Sequence, residues 1–217
     1  MLQASSWNML LLKVLVTPAV IGAASLAGRR WGQSISGWLI ALPLTTGPIT
    51  LFLALGHGPA FAAASAAGTL AGGLSQAAFV AAYSQLARRW KWPGALAAAV
   101  LAFAVLTALL QGLAFPLVPL CALVFLVLTL VLKALPRQTD PAGDDQTLPP
   151  RWDIPLRMLI ATLFVVFITG LAPALGPRLT GLLAPFPLFT AILAAFAHHQ
   201  QGPAAAMRVL RGLLMGL

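Results

Sequence analysis

Residues 115–135 read FPLVPLCALVFLVLTLVLKAL, and this stretch holds a single charged side chain, Lys133. A helix needs about 20 predominantly apolar residues to cross the hydrocarbon core of a bilayer, so the stretch predicts a membrane-spanning helix. The whole chain has the same character: of its 217 residues, 60% are hydrophobic and 8% are charged. Soluble domains carry about 25% charged residues, so this composition excludes a soluble globular domain. We predict an all-α, polytopic membrane protein.

Further apolar runs lie on both sides of this stretch, separated by glycine, proline and basic residues that are typical of helix ends. They predict about eight transmembrane helices, at residues 7–27, 35–55, 59–87, 93–113, 115–135, 154–175, 179–198 and 203–217. One hydrophilic segment, 136–150, predicts a solvated loop. The last run is shorter than its counterpart in the first half, so we expect either that the chain continues beyond Leu217 or that a ninth helix was lost.

The two ends of the chain resemble each other. A shift of 144 residues aligns 12–73 with 156–217 without a gap, and 16 of the 62 pairs are identical. The identical pairs include helix-breaking residues in one register: Gly32/Gly176, Pro43/Pro187, Gly58/Gly202, Pro59/Pro203 and Gly68/Gly212. Shared alanine and leucine content does not place glycine and proline in one register, so we predict an internal duplication.

Five apolar runs precede the second copy, and an odd number makes it enter the membrane from the opposite side. The sequence therefore predicts an inverted-topology repeat. Lysine and arginine collect in cytoplasmic loops. If Arg29 and Arg30 lie on the inner face, eleven of the 13 basic residues lie there, and Lys13 and Arg178 lie on the other. We predict a multi-pass protein of the bacterial inner (plasma) membrane with a periplasmic N-terminus.

This topology predicts four segments. Residues 7–113 form a first repeat unit of four helices, 115–135 a linking transmembrane helix, 136–153 a cytoplasmic loop, and 154–217 a second repeat unit of three helices. The net charge of +9 would suggest nucleic acid in a soluble protein, but here the basic residues lie at the ends of apolar runs. We therefore expect the lipid bilayer as partner and no nucleic acid.

The strongest polar signal is a proline and threonine cluster in the second helix of each copy. A proline inside a spanning helix frees a carbonyl, which in lipid must find a partner in protein or in a water-lined cavity. Broken helices at matching places in inverted repeats indicate the central site of a transporter. The alternative is a kink in which threonine bonds to its own helix. The candidate substrate-binding residues are Pro43, Thr45, Thr46, Pro48, Thr50, Pro187, Thr190 and, in the third helix, Gln76.

The third helix of each copy also carries glycines four residues apart, a spacing that lets two helix backbones approach closely. We assign Gly68, Gly72, Gly212 and Gly216 to helix packing, and such faces leave room for a homo-oligomer. His57 is predicted on the opposite face from His198 and His199, so we expect no metal site and no cofactor. No nucleophile-and-base motif is present, so we do not expect an enzyme and assign no catalytic residue.

Residues 179–214, LTGLLAPFPLFTAILAAFAHHQQGPAAAMRVLRGLL, resemble the GlpM family of small bacterial inner-membrane proteins, and 35–70 follow the same pattern more loosely. The resemblance implies about four helices per copy, so this chain would be a tandem-duplicated relative of that family. It implies no catalytic residue.

Two functional hypotheses remain open. The first is a transporter for a small solute or a lipid intermediate, with the proline and threonine helices at its centre. The second is a non-transporting subunit or scaffold, with an unknown protein partner, that supports envelope polysaccharide biogenesis.

Overall fold

The computed structural model describes residues 6–31, 45–113, 116–135 and 153–215. Every regular element in these residues is an α-helix. The described helices are α1 (Ser6–Trp31), α2 (Thr46–His57), α3 (Pro59–Leu86), α4 (Trp92–Gln111), α5 (Leu117–Ala134), α6 (Asp153–Leu183), α7 (Leu188–Gln201) and α8 (Pro203–Met215). The predicted all-α class is confirmed.

Among the described residues, four segments are long and apolar enough to cross a membrane: Trp7–Leu26, Trp92–Gln111, Leu117–Ala134 and Ile154–Leu183. Helices α2, α7 and α8 have 12, 14 and 13 residues. At a rise of 1.5 Å per residue each is roughly 20 Å long, shorter than the hydrocarbon core of about 30 Å. The chain thus combines the helices of a membrane protein with shorter ones.

The chain forms two compact units. Unit 1 contains residues 1–69 and 148–184, and unit 2 contains residues 70–147 and 185–215. The boundary falls within α3, after Thr69. This is a different division from the two copies recognised in the sequence, which stay a prediction.

In unit 1, helices α1 and α6 pack antiparallel. The Met158 sulfur, near the start of α6, lies 3.2 Å from the position of a Cβ on Gly22, in the second half of α1. Earlier in α1, Val16 packs against a buried cluster that contains Val165 and Ile168. As the chain moves back along α1, its contacts therefore move forward along α6, and the two helices run in opposite directions.

Helix α2 completes this core through one apolar face. Ile49, Phe52 and Leu53 are each at most 1% exposed and belong to the same buried cluster as Val165 and Ile168. Burying such side chains contributes about 1.5–3 kcal/mol each, so this face fixes α2 against α6. The opposite face of α2 carries Thr46 and Thr50 together with the apolar Leu51.

Helix α3 crosses α6 at two glycines, Gly68 on α3 and Gly181 on α6. A Cβ on Gly68 would lie 2.6 Å from the Arg178 carbonyl oxygen and 3.2 Å from the Gly181 Cα. A Cβ on Gly181 would overlap the carbonyl group of Ser65. Both positions therefore need glycine, since a methyl group on either would push the backbones apart.

Two glycine junctions in the fold have matching backbone conformations. Gly58 ends α2 with φ 88° and ψ 166°, and Gly202 ends α7 with φ 86° and ψ −179°. In each case the glycine N–H donates to the carbonyl four residues earlier, at Ala54 or His198, and a proline begins the next helix. This region of φ and ψ is essentially restricted to glycine.

One predicted helix boundary of the C-terminal half is confirmed and another is wrong. The predicted break near residue 176 is present, because the backbone at Gly176 is non-helical (φ 72°, ψ 167°) and two helical segments of α6 meet there. The predicted helix over 179–198 is interrupted, because α6 ends at Leu183 and α7 begins at Leu188. Pro185 and Pro187 lie in the interruption, and neither has an N–H to continue a helix.

In unit 2, helix α7 packs against α8 and α4, and α8 also packs against α5. The Thr107 hydroxyl on α4 donates to the Ser75 Oγ on α3 over 2.9 Å, and both residues are buried. Aromatic rings fill the interior: Phe186 lies 5.0 Å from Phe103 and 6.2 Å from Phe79 between ring centroids. Unit 2 is therefore held by a polar pair and an aromatic cluster.

Candidate functional site

A groove of about 430 Å³ lies in unit 1 between α2 and the first half of α3. Its lining residues are Thr46, Gly47, Thr50, Leu51, Ala54, Ala66 and Thr69. The residues from α2 are spaced by four along the helix, so they form the face opposite to Ile49, Phe52 and Leu53. The groove is wide open on one side and does not enclose a ligand, so a molecule bound there would remain partly exposed.

The hydroxyl groups in the groove are bonded to their own helices. Thr50 Oγ1 donates to the Thr46 carbonyl over 2.9 Å, and Thr69 Oγ1 donates to the Ser65 carbonyl over 3.1 Å. A threonine hydroxyl has one donor and two acceptor lone pairs. Thr50 and Thr69 therefore retain acceptor capacity, which suits a ligand that donates hydrogen bonds, such as an alcohol.

One further hydroxyl lies beside this groove. Ser65, one turn before Thr69 on α3, is 1% exposed, and its Oγ has no hydrogen-bond partner among the described residues. A buried polar group without a partner costs about 1–3 kcal/mol, so such groups are rare unless a ligand or water satisfies them. The groove lining itself has no charged side chain, which gives the site a neutral character.

The structure accounts for four of the candidate residues at the start of α2, and Pro43 lies outside the described residues. Thr45 is the N-cap of α2, without a hydrogen bond from its side chain, and Pro48 is buried in the first turn. The first four N–H groups of a helix have no partner within it, so Pro48 breaks no helical bond. Thr46 and Thr50 are thus brought together in the groove, while Pro48 marks a helix start.

The remaining candidates lie in unit 2. Pro187 is the N-cap of α7, and Thr190 is in its first turn. Gln76 on α3 is 4% exposed, and its Oε1 has no hydrogen-bond partner in the described part of the chain. Their role in substrate binding stays a prediction.

The glycines assigned to packing have different surroundings in the structure. Gly68 lies at the crossing with Gly181, whereas no described atom lies within 4 Å of a Cβ placed on Gly212. Gly72 is buried on α3, and Gly216 lies outside the described residues.

Each histidine lies next to an aromatic side chain. In unit 2, the Tyr83 hydroxyl lies 3.3 Å from His198 Nδ1, and the His199 ring lies 6.0 Å from the Trp92 ring. In unit 1, the His57 ring lies 4.8 Å from the Phe61 ring between centroids, and the two rings are tilted by 32°. Among the described residues, no group of three histidine, cysteine or acidic side chains is placed to hold a metal ion.

Two residues of this region were not among the predicted ones. Thr69 completes the groove from α3. Gly181 aligns with Gly37 at the shift of 144 residues, but its contact with Gly68 is visible only in the structure. A small-residue search on the second helix of each copy would have found Gly181.

No family model, no curated protein and no solved structure matches this chain. The resemblance to the GlpM family therefore stays a prediction.

Proposed function

We propose that this chain is an inverted-repeat transporter of the bacterial inner membrane that carries a small uncharged solute or a lipid intermediate. The observation that carries the proposal is the threonine groove at the start of α2, a helix too short to cross a bilayer. Short helices that end within the membrane are where transporters expose backbone and hydroxyl groups to a substrate.

The antiparallel packing of α1 and α6 supports the inverted repeat. The shift of 144 residues aligns these two helices with each other, so they are the equivalent first helices of the two copies. In a bilayer, equivalent helices that run in opposite directions belong to copies of opposite orientation. The aligned junctions at Gly58 and Gly202 share one backbone conformation, which Gly176 also adopts, so they agree with the alignment without adding a separate argument.

Contacts within each unit agree with the proposed orientation. In unit 1, Met9 Cε lies 3.5 Å from a Cβ position on Gly56, and both residues are assigned to the periplasmic side. In unit 2, Trp92 and His199 are neighbours, and both are assigned to the cytoplasmic side with Arg88, Arg89 and Lys91. The charge bias and these contacts lead to the same topology.

The chemistry of the groove supports an uncharged substrate. A charged solute would need a counter-charge in an apolar environment, and none lines the groove. The acceptor oxygens of Thr50 and Thr69 favour hydroxyl donors, so the substrate class is a polyol, a sugar or the hydroxyl-bearing head of a lipid intermediate.

Uptake of radiolabelled mannitol, as a neutral polyol probe, into proteoliposomes tests this proposal. We expect T50V and T69V each to lower the initial rate about fivefold, since each removes an acceptor worth about 1 kcal/mol from an apolar site. T46V and T190V test the predicted pair from the two copies. The matched control is T129V on α5, whose hydroxyl bonds to its own helix at Phe125 but lies outside the groove.

If the wild-type protein moves no mannitol, or if T129V lowers uptake as much as T50V, the groove is not the transport site. Unchanged growth of cells that carry T46V and T190V together would also count against a transporter.

A second candidate function is a non-transporting membrane subunit that supports envelope polysaccharide biogenesis. The observation in its favour is that the hydroxyls of Thr50 and Thr69 satisfy their donors internally, as structural threonines do. Under this alternative the groove receives a partner's side chain. Copurification of a defined polysaccharide synthase subunit, lost in T50V but kept in T129V, would favour it.

A further inference from the structure

Helix α8 is amphipathic, with a buried face and a basic one. Its buried residues are Ala205, Ala206, Met207, Leu210 and Leu214. Arg208 is exposed on the other side. An exposed arginine is disfavoured in the hydrocarbon core, so in a membrane protein this side of α8 faces the headgroup layer or water.

Arg211 lies at the border of the two faces and is partly buried. Its Nη1 is inaccessible to solvent and has no hydrogen-bond partner among the described residues. The described residues of unit 2 contain no aspartate or glutamate, since all four carboxylates of the chain are at 140–153. A buried guanidinium nitrogen therefore lacks both a hydrogen-bond acceptor and a counter-charge in this part of the molecule.

We propose that Arg211, with Arg208 one turn before it on α8, binds the phosphate of an anionic lipid headgroup. Residues three apart on a helix are neighbours, about 5–6 Å between Cβ atoms, so both guanidinium groups reach one phosphate. Arginine binds phosphate through paired N–H donors, so the exposed Arg208 and the partly exposed Arg211 offer donors to a headgroup, whereas Arg211 Nη1 itself is enclosed by the protein.

The proposal depends on the membrane assignment and is independent of the threonine groove. The groove is in unit 1, whereas Arg208 and Arg211 are in unit 2. A loss of lipid binding would therefore say nothing about mannitol uptake, and either experiment can fail without the other.

Native mass spectrometry of the full-length protein in mild detergent tests the proposal. The retention of phosphatidylglycerol is compared with that of phosphatidylcholine. The melting temperature of the protein with added inorganic phosphate tests whether a free phosphate, and not a lipid headgroup, occupies the site. We expect phosphatidylglycerol to bind about tenfold more tightly than phosphatidylcholine, and R211Q to remove that preference. R211K keeps the charge but loses the paired donors, so we expect an intermediate affinity. R89Q, in the exposed turn of the same unit, is the control for general charge attraction.

Loss of the preference in R211Q and its survival in R89Q would support the site. A melting shift with inorganic phosphate that R211Q abolishes would also support it, with a soluble phosphate as the source. Equal retention of both lipids by the wild-type protein would overturn the proposal. A loss of the phosphatidylglycerol preference in R89Q as large as that in R211Q would also overturn it. If changing Asp140, Asp144 and Asp145 to asparagine lowered the melting temperature of lipid-free protein as much as R211Q does, the acidic segment would be the partner of Arg211, which would also overturn it.

Discussion

At the residue scale, Gly181 has the most stringent requirement in the described structure. Its Cα faces the backbone of α3 at Ser65 and Thr69, so any side chain there meets a main chain that cannot rotate away. Small residues at helix crossings bring backbones together and replace the hydrophobic driving force that is absent between helices in lipid. The crossing also fixes α3 next to the groove, because Thr69 belongs to both.

We expect G181A to lower the free energy of unfolding by about 2–3 kcal/mol, as for an overpacked core. G170A is the matched control on the same helix, because no described atom lies within 4 Å of a Cβ there. Replacing this second glycine should leave stability unchanged or raise it by up to about 1 kcal/mol. Thermal unfolding in detergent measures both, and equal melting temperatures for the two variants would contradict the crossing.

The Ser75–Thr107 pair makes a second prediction at this scale. We expect T107V to cost about 1–2 kcal/mol, because it leaves the buried Ser75 hydroxyl without a partner. Changing both residues, in S75A/T107V, should recover part of that loss, since no unpaired group remains. A double variant less stable than T107V alone would rule out the pair.

The candidate site was partly predictable from residue types. Thr46 and Thr50 stood out because threonine and proline are unusual within an apolar run, and they do line the groove. Thr69 did not stand out, because its role depends on how α2 lies against α3, which no local pattern encodes. Ser65 was likewise invisible, since only the three-dimensional contacts leave its hydroxyl buried and unpartnered.

At the element scale, the helix ends decide the architecture. Glycine and proline predicted the junctions at Gly58–Pro59 and Gly202–Pro203 correctly, because each has a local conformational cause. The predicted break near Leu175 is also correct, since the backbone at Gly176 is non-helical and Pro177 begins the helical segment after it, where its missing N–H costs no hydrogen bond. Pro185 and Pro187 lie together and do end a helix.

We expect G58A and G202A to destabilise the protein by similar amounts, about 1–3 kcal/mol each, because both glycines occupy a region that other residues avoid. G212A, in the open interior of α8, is the control and should cost nothing. Thermal unfolding measures the three variants side by side. A large cost for one junction glycine and none for the other would argue that the two junctions are unrelated.

At the scale of the whole molecule, the central claim is that equivalent helices of two copies run in opposite directions. The sequence predicts the duplication and an odd number of apolar runs before its second copy. It could not supply the packing of α1 on α6, because that contact joins residues more than 130 positions apart, Gly22 and Met158. Nor could it indicate that both first helices belong to one compact unit.

The most direct test determines on which side of the membrane two equivalent residues lie. His57 and Gln201 end α2 and α7 and are 144 positions apart. In a background with Cys121, the single native cysteine, changed to serine, H57C and Q201C are labelled in intact cells with a membrane-impermeant maleimide. The account predicts that H57C is labelled from the periplasm and that Q201C is labelled only after the cells are opened. Labelling of both from the same side would contradict it.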